Sequence, residues 1–300
     1  MCGIVGFLAK ESAYRSTLGE YVVPMMECMG DRGPDSAGLA IFSEKPDPKA
    51  LRFNLYALQQ PFARDSLARR FEQAFGAETS AKIEEAENHA VLITSVETSR
   101  VVEWIRSDCP DIHLLSVGRA MDIYKDTGHP REIAARYRWS SFAGSHCVGH
   151  TRMATESAVT PVHSHPFTAG QDFCLVHNGS LSNPYELRRM LEARGVEFET
   201  DNDTEAACRF LQWRLAEGDT IEEALEQAFV ELDGFFTLLM GTVDKIVLVR
   251  DAFACKPAVV AETDDYVAIG SEFRTLAHLP NIQNARLFEP RPEEIYSWNV

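Results

Sequence analysis

The chain opens "MCGIVGFLAK" (1–10), and its second residue governs how the rest is read. Residues 3–8, "GIVGFL", are apolar with glycine breaks and read as a strand, which sets Cys2 at the strand's tip. Cysteine is small enough for Met1 to be trimmed from in front of it. The same residue would then carry a thiol and a free α-amine that titrates near pH ~8, a nucleophile with its own base. Such a nucleophile needs oxyanion donors and charges that hold a substrate, and candidates for both lie further along the chain.

Composition bounds the answer. The 300 residues are 45% hydrophobic and 25% charged, as in soluble globular proteins, and are enough for one large domain or two small ones. The net charge of -16, from 45 acidic against 29 basic residues, argues against nucleic acid and anionic membranes as partners, since both need basic patches. The cysteines, at 2, 28, 109, 147, 174, 208 and 255, form no CxxC and no regular spacing, which suits a reducing compartment. With no membrane-length apolar run, no signal peptide at the N-terminus and no internal repeat, a cytoplasmic protein is expected.

Along the chain, a helix ends near Met29. The loop "MGDRGPDSAG" (29–38) is constrained by Gly, Pro and Asp, and "GLAIF" (38–42) is a strand. "SEKPDPK" (43–49) is a boundary. From about 50 to 140, strands such as "HAVLITSV" (89–96) and "IHLLSVG" (112–118) alternate with helices over 64–75, 99–109 and 129–139. This predicts a small α/β insert at 44–140. "SHCVGHTR" (145–152) and "DFCLVHNGS" (172–180) are strands ending in polar clusters. Helices over 183–195, 203–218 and 220–232 follow, then strands to the end, with a short helix at "EFRTLAHL". Strands, helices and strands again fit a layered α+β protein with antiparallel sheets.

The chemistry narrows the candidates. In "HNG" (177–179), Asn178 has a side-chain amide and Gly179 a closely approachable backbone N–H for an oxyanion, although NG alone is also an ordinary turn. Arg152 in "GHTRMATES" matches a carboxylate, or makes a structural ion pair. Asp203 in "TDNDTE" suits an ammonium group, or caps a helix.

Taken together, "CGIVGF", "RGPDSAG", "GHTRMAT", "HNGSLSN" and "DNDTE", in that order, resemble the class II glutamine amidotransferases, over most of 1–43 and 141–300. The resemblance implies the N-terminal-nucleophile hydrolase fold: α+β, a four-layer αββα sandwich of two antiparallel sheets, spanning 2–300 and interrupted by the 44–140 insert. It implies that Cys2 forms a γ-glutamyl thioester, that Asn178 and Gly179 make the oxyanion hole, and that Arg152 and Asp203 hold the α-carboxylate and α-amine of glutamine. Arg32, Gly33 and Asp35 would belong to a loop covering the substrate. Several members of the family carry Trp and His in the stretch where this chain has Met153 and Glu156, so contacts of those side chains do not transfer.

The chain stops at Val300 without the synthase domain that many relatives carry, and "VGRAMDIYKDTGHP" resembles stand-alone subunits of the glutamate synthase and N-methylglutamate synthase type. That resemblance implies no cofactor in this chain, FMN and an iron-sulfur cluster in a partner, and a synthase subunit receiving ammonia in a hetero-oligomer. The insert would dock that partner. Two other readings stand beside it: a non-catalytic glutamine-binding or assembly subunit, or an amidase for another γ-glutamyl amide. A retained Met1 would block the α-amine. The histidines of "VHSHPF", with His150 and His177, match no recognised metal-ligand spacing. A papain-like pair of a cysteine with His177 would leave the position of Cys2 unexplained. Cys147 and Cys174 are expected in the core, and "AIGSEF" (268–273) is expected to serve packing.

Overall fold

The computed structural model describes residues 2–58, 64–76, 79, 81–154 and 159–300. Its first strand, β1 (Gly3–Ala9), is buried along its whole length, as an apolar run covered on both faces must be. Successive side chains of a strand point to opposite faces. Val5, Phe7 and Ala9 accordingly enter one core, while Ile4 and Leu8 enter another.

After β1 come α1 (Ser12–Ser16), α2 (Leu18–Cys28), β2 (Ser36–Phe42), β3 (Leu51–Ala57), α3 (Arg64–Phe75), β4 (Ala81–Ala86), β5 (His89–Thr94) and α4 (Thr98–Asp108). The middle of the chain supplies β6 (Ile112–Gly118), β7 (Met121–Thr127), α5 (Pro130–Arg136), β8 (His146–Arg152), β9 (Phe167–Thr168) and β10 (Cys174–Leu181). Three helices follow, α6 (Pro184–Glu192), α7 (Asp203–Ala216) and α8 (Ile221–Glu231). The chain closes with β11 (Gly234–Gly241), β12 (Lys245–Arg250), β13 (Val259–Glu262), β14 (Tyr266–Gly270), β15 (Arg286–Phe288) and β16 (Tyr296–Asn299).

β1 is the middle strand of a seven-stranded antiparallel sheet ordered β15-β13-β14-β1-β8-β2-β7. A second antiparallel sheet runs β16-β12-β11-β10-β9. Between the sheets lies a core of Ile4, Leu8, Val148, Val176, Leu239 and Leu248. Helices α2 and α5 cover the outer face of the first sheet through Val22, Met25, Met26 and Ile133. Helices α6 to α8 cover the outer face of the second through Leu187, Leu191, Phe210 and Leu225. The layers are α, β, β, α, the N-terminal-nucleophile hydrolase arrangement expected from the sequence. Cys147 and Cys174 lie fully buried in it.

A third sheet, β4-β5-β3-β6, packs with α3 and α4 around its own core of Phe53, Leu67, Phe71, Leu92 and Trp104. This separate unit spans β3 to β6. The last part of the segment assigned to an insert at 44–140, from 119 on, is not part of it, because β7 pairs with β2 and α5 packs on α2's core. "EFRTLAHL" forms only a short 3-10 turn, Phe273–Thr275.

The third sheet is tied to the body by Asp172. Its carboxylate accepts the backbone N–H groups of Arg119, Ala120 and Met121 at 2.8 to 3.0 Å. Gly118 leaves room for it, since a Cβ there would stand 2.0 Å from Asp172 Oδ1.

Candidate active site

Cys2 stands just before β1, partly exposed. Its main-chain carbonyl accepts from Arg32 Nε at 3.0 Å and from Asn178 Nδ2 at 3.3 Å. Glu272 Oε1 holds Arg32 from the other side at 2.6 Å. The Cys2 thiol lies 3.9 Å from the Met153 carbonyl, within reach of a weak S–H donor. Next to it, Ile4 N donates to Ser271 Oγ at 2.9 Å. The "AIGSEF" segment, expected to serve packing, therefore also secures the nucleophile candidate from both sides through Ser271 and Glu272.

The loop that carries Arg32, Gly33 and Asp35 lies against the end of β8. A Cβ on Gly33 would fall 2.4 Å from the Thr151 carbonyl carbon, so only glycine permits this approach. Asp35 N donates to the Arg152 carbonyl at 3.0 Å, and Asp35 Oδ2 accepts from Ala154 N at 2.8 Å. Arg32, by contrast, is turned onto Cys2 and Glu272.

Arg152 ends β8 and is 5% exposed. Gly3 pairs with Thr151 across the β1–β8 ladder, which brings Arg152 to the Cys2 end of the sheet. Burial pushes its guanidinium below the ordinary arginine value, and the charges of Cys2, Asp35, Asp203 and Asp201 act against that shift. Cation and anions thus meet in one place.

Asn178 and Gly179 lie on β10 of the second sheet, opposite Thr237 and Phe236 of β11. Gly179 admits no side chain, because a Cβ would sit 2.0 Å from the Phe235 carbonyl oxygen and 2.5 Å from His177 Nε2.

Asp203 is the first residue of α7, yet the capping bond to Thr204 N at 2.9 Å comes from the Asn202 side chain. Asp203 Oδ2 instead accepts Leu181 N at 2.9 Å, just past Gly179, and its side chain keeps 25% exposure. Burial would raise its carboxyl; the His177 ring and the backbone N–H groups of Leu181 and Thr204 outweigh that and hold it down at about 2.

His177 does not pair with a cysteine. Its Nδ1 lies 3.0 Å from Thr204 Oγ1 and 3.7 Å from Asp203 Oδ1, and Thr204 Oγ1 also meets His165 Nε2 at 2.9 Å. His150 stacks on His165 with ring centroids 4.0 Å apart. Among the described residues, no group of three or more His, Cys, Asp or Glu is arranged to hold a metal ion, and no helix is long and apolar enough to cross a membrane. Glu156 lies outside the described residues, as does Met1.

Cys2, Arg152, Asn178, Gly179 and Asp203 come from three strands (β1, at whose tip Cys2 stands, β8 and β10) and one helix start, and gather at one end of the two sheets. The sequence motifs gave no role to Glu272 and Thr204 behind them, and weighed His177 only for a metal or a cysteine partner. Thr204 and His177 flank residues already singled out, whereas Glu272 follows a strand end whose pairing with β1 the sequence does not reveal.

A thiol at a strand tip thus shares one end of the sandwich with an amide donor, a buried guanidinium and a carboxylate. The family model described as a glutamine amidotransferase domain matches residues 150–278. The glutamine amidotransferase-like protein GlxB of Rhizobium meliloti is 44% identical over 300 residues, covering 100% of this chain and 98% of that protein. The chain belongs to the class II glutamine amidotransferases. A glutamine–fructose-6-phosphate aminotransferase of Vibrio parahaemolyticus is 29% identical over 158 residues, which are 52% of this chain and 26% of that enzyme. In fold, the chain matches the glutamine phosphoribosylpyrophosphate amidotransferase of B. subtilis with a TM-score of 0.60 at 17% identity, over 99% of this chain and 49% of that one. The chain thus spans about half the length of that enzyme.

Proposed function

We propose that this chain hydrolyses glutamine to glutamate and ammonia through a thioester on Cys2, and that it serves as the glutaminase subunit of a larger synthase. The observation that carries this reading is the convergence of Cys2, Asn178, Arg152 and Asp203 at one end of the sandwich. With Met1 removed, the α-amine of Cys2 takes the thiol proton, directly or through a water, and Sγ attacks the side-chain amide carbon of glutamine. The carbonyl oxygen becomes an oxyanion that receives N–H groups from Asn178 and Gly179. The Asn178 amide has two N–H donors, so the one engaged by the Cys2 carbonyl leaves the other for substrate. The tetrahedral intermediate collapses, the C–N bond breaks, and the proton from the thiol leaves with ammonia. Water then cleaves the thioester, returning the thiol and releasing glutamate.

Arg152 takes the α-carboxylate as a two-pronged donor. Asp203, ionised far below neutral pH, takes the α-ammonium. The segment of Gly33 and Asp35 borders the same space, while Arg32 acts on the nucleophile's own backbone. Ammonia passes to a partner subunit of the glutamate synthase or N-methylglutamate synthase type, in which FMN and an iron-sulfur cluster reside, and the insert sheet contributes to docking it. Cytoplasmic placement follows from the same reading.

Glutamate release from glutamine by the purified chain, absent in Cys2→Ala, tests the reaction. Co-purification of a flavin-bearing subunit with the tagged chain, abolished by removing residues 51–118, tests the partner. Release of glutamate from other γ-glutamyl amides as fast as from glutamine would favour a general amidase instead.

A further inference from the structure

We propose that Thr204, His177 and His165 are positioning residues that together aim the Asp203 carboxylate at the ammonium group of the substrate. That role rests on the proposed glutamine site; the hydrogen-bond arrangement behind it does not.

The three side chains come from separate elements. His177 lies on β10, Thr204 follows Asp203 in the first turn of α7, and His165 precedes β9. None is more than 5% exposed, so their polar atoms depend on one another for partners. They meet at the Thr204 hydroxyl, whose oxygen has His165 Nε2 at 2.9 Å, His177 Nδ1 at 3.0 Å and Asp203 Oδ1 at 3.3 Å.

A hydroxyl donates one hydrogen bond and accepts two, and that count sets the direction of all three. Asp203 is ionised and only accepts. With the hydroxyl proton on Asp203 Oδ1, both rings donate, His177 through Nδ1–H and His165 through Nε2–H. Their other nitrogens, His177 Nε2 and His165 Nδ1, are then bare lone pairs, and both are buried without a hydrogen-bond partner among the described residues. Turning the hydroxyl toward either ring would face the carboxylate with an oxygen lone pair and would strand an N–H on that ring. A buried donor left in that way carries its full desolvation penalty.

The rings are held from behind. His150 Nε2 donates to the His177 carbonyl at 3.0 Å, and the His150 ring stacks on His165. Lys125 Nζ donates to the carbonyls on either side of His165, those of Ser164 and Pro166, at 2.9 and 3.2 Å. Burial keeps the His165 ring well below the usual histidine value, helped by the neighbouring His150, His177, Arg152 and Lys125, which agrees with a neutral donor. Asp203 is thereby fixed at both oxygens, Oδ1 by Thr204 and Oδ2 by Leu181 N at 2.9 Å. A carboxylate has about four lone-pair sites, so the rest remain for an ammonium on the side that stays 25% exposed.

Glutaramate, which is glutamine without its α-ammonium, separates positioning from mere packing. Titration calorimetry on the whole chain carrying Cys2→Ala, in which glutamine is not consumed, is expected to show tighter binding of glutamine than of glutaramate. Adding Thr204→Val, which keeps the shape and removes the hydroxyl, is expected to weaken glutamine about tenfold and to leave glutaramate within about twofold. Thr204→Ser is expected to restore glutamine binding. Equal losses for the two ligands, no loss, or a serine variant as weak as the valine would overturn the role. If Thr204→Val does not fold, His177→Asn, which keeps a donor near the place of Nδ1, set against His177→Leu decides the same question. Ring ¹⁵N shifts of the ligand-free chain read the arrangement directly, with protons expected on His177 Nδ1 and His165 Nε2; the opposite tautomer on either ring would overturn it. Failure of the chain with Thr204 intact to bind glutamine would instead contradict the glutaminase reading, and the tautomers would still decide the network.

Discussion

The Asn178 side chain donates to the Cys2 carbonyl at 3.3 Å, joining residues 176 apart in the chain and linking β10 of one sheet to the tip of β1 in the other. The proposed nucleophile and oxyanion donor are therefore positioned by the packing of the two sheets, not by a loop. Replacing Asn178 by Ala is expected to lower kcat by about 10²–10³-fold, the loss typical of one oxyanion donor. The loss of stability should be far smaller, about 1 kcal/mol for a single hydrogen bond. Steady-state glutaminase kinetics beside thermal melts separate the two.

Arg32 and Glu272 form a strut behind Cys2. Arg32→Gln and Glu272→Gln are each expected to slow glutamine turnover about tenfold, with a much smaller change in KM, because both act on the nucleophile's backbone. The double variant should be no worse than either single one, since residues of one network couple. Additive losses in a double-mutant cycle would separate their roles.

Asp203 belongs to substrate binding in this scheme. Asp203→Asn keeps a hydrogen-bond acceptor for Leu181 N but removes the charge. The expected result is a rise of about 10–100-fold in KM for glutamine, as when one partner of a charged pair is lost. A KM unchanged in this variant would remove Asp203 from the ammonium site.

Acid should destabilise the fold through its buried histidines. Burial lowers His89 to about 4, His146 to about 4 and His150 to about 3, from the usual 6.5. As pH falls below ~6.5 the unfolded chain binds protons that the folded chain refuses, so stability drops until the folded values are reached. Each group contributes about 1.4 kcal/mol per pH unit, and three together about 4. Asp203 works in a lower window. Its value is depressed from 3.8 to about 2, so it stabilises the fold above 3.8 and that contribution is lost as pH falls through about 2. Denaturant unfolding between pH 7 and 4.5 should show the steep histidine slope, reduced by about 1.4 kcal/mol per pH unit in His146→Gln. An unchanged slope in that variant would show that His146 is not the source.

Asp172 carries the junction to the insert sheet. Asp172→Ala strands three backbone N–H groups and is expected to cost about 3 kcal/mol, with proteolysis of 51–118 increasing before the rest of the chain is cut.

Much of this was legible in the sequence, because the signals were local. The strand of "GIVGFL", the capped helix starting at Asp203 and the NG step on β10 follow from periodicity and residue type. What failed was long-range. β7 lies next to "VGRA" in the chain, but its partner β2 is some 80 residues away, so the sequence grouped it with the insert. Arg32 sits in a loop whose neighbours are Cys2 and Glu272, 30 and 240 residues distant, and no local pattern reveals such a pairing. The sequence left Asp203 either as an ammonium partner or as a helix cap, and the structure gives the capping bond to Asn202.

The central claim is that Cys2 is the nucleophile. Intact mass of the purified protein, before and after the glutamine-analogue electrophile diazo-oxo-norleucine, tests it most directly. The account predicts a chain lacking Met1 that gains one adduct, mapped to Cys2 and absent in Cys2→Ala. A chain that keeps Met1 and gains no adduct, or an adduct on another cysteine, would contradict it.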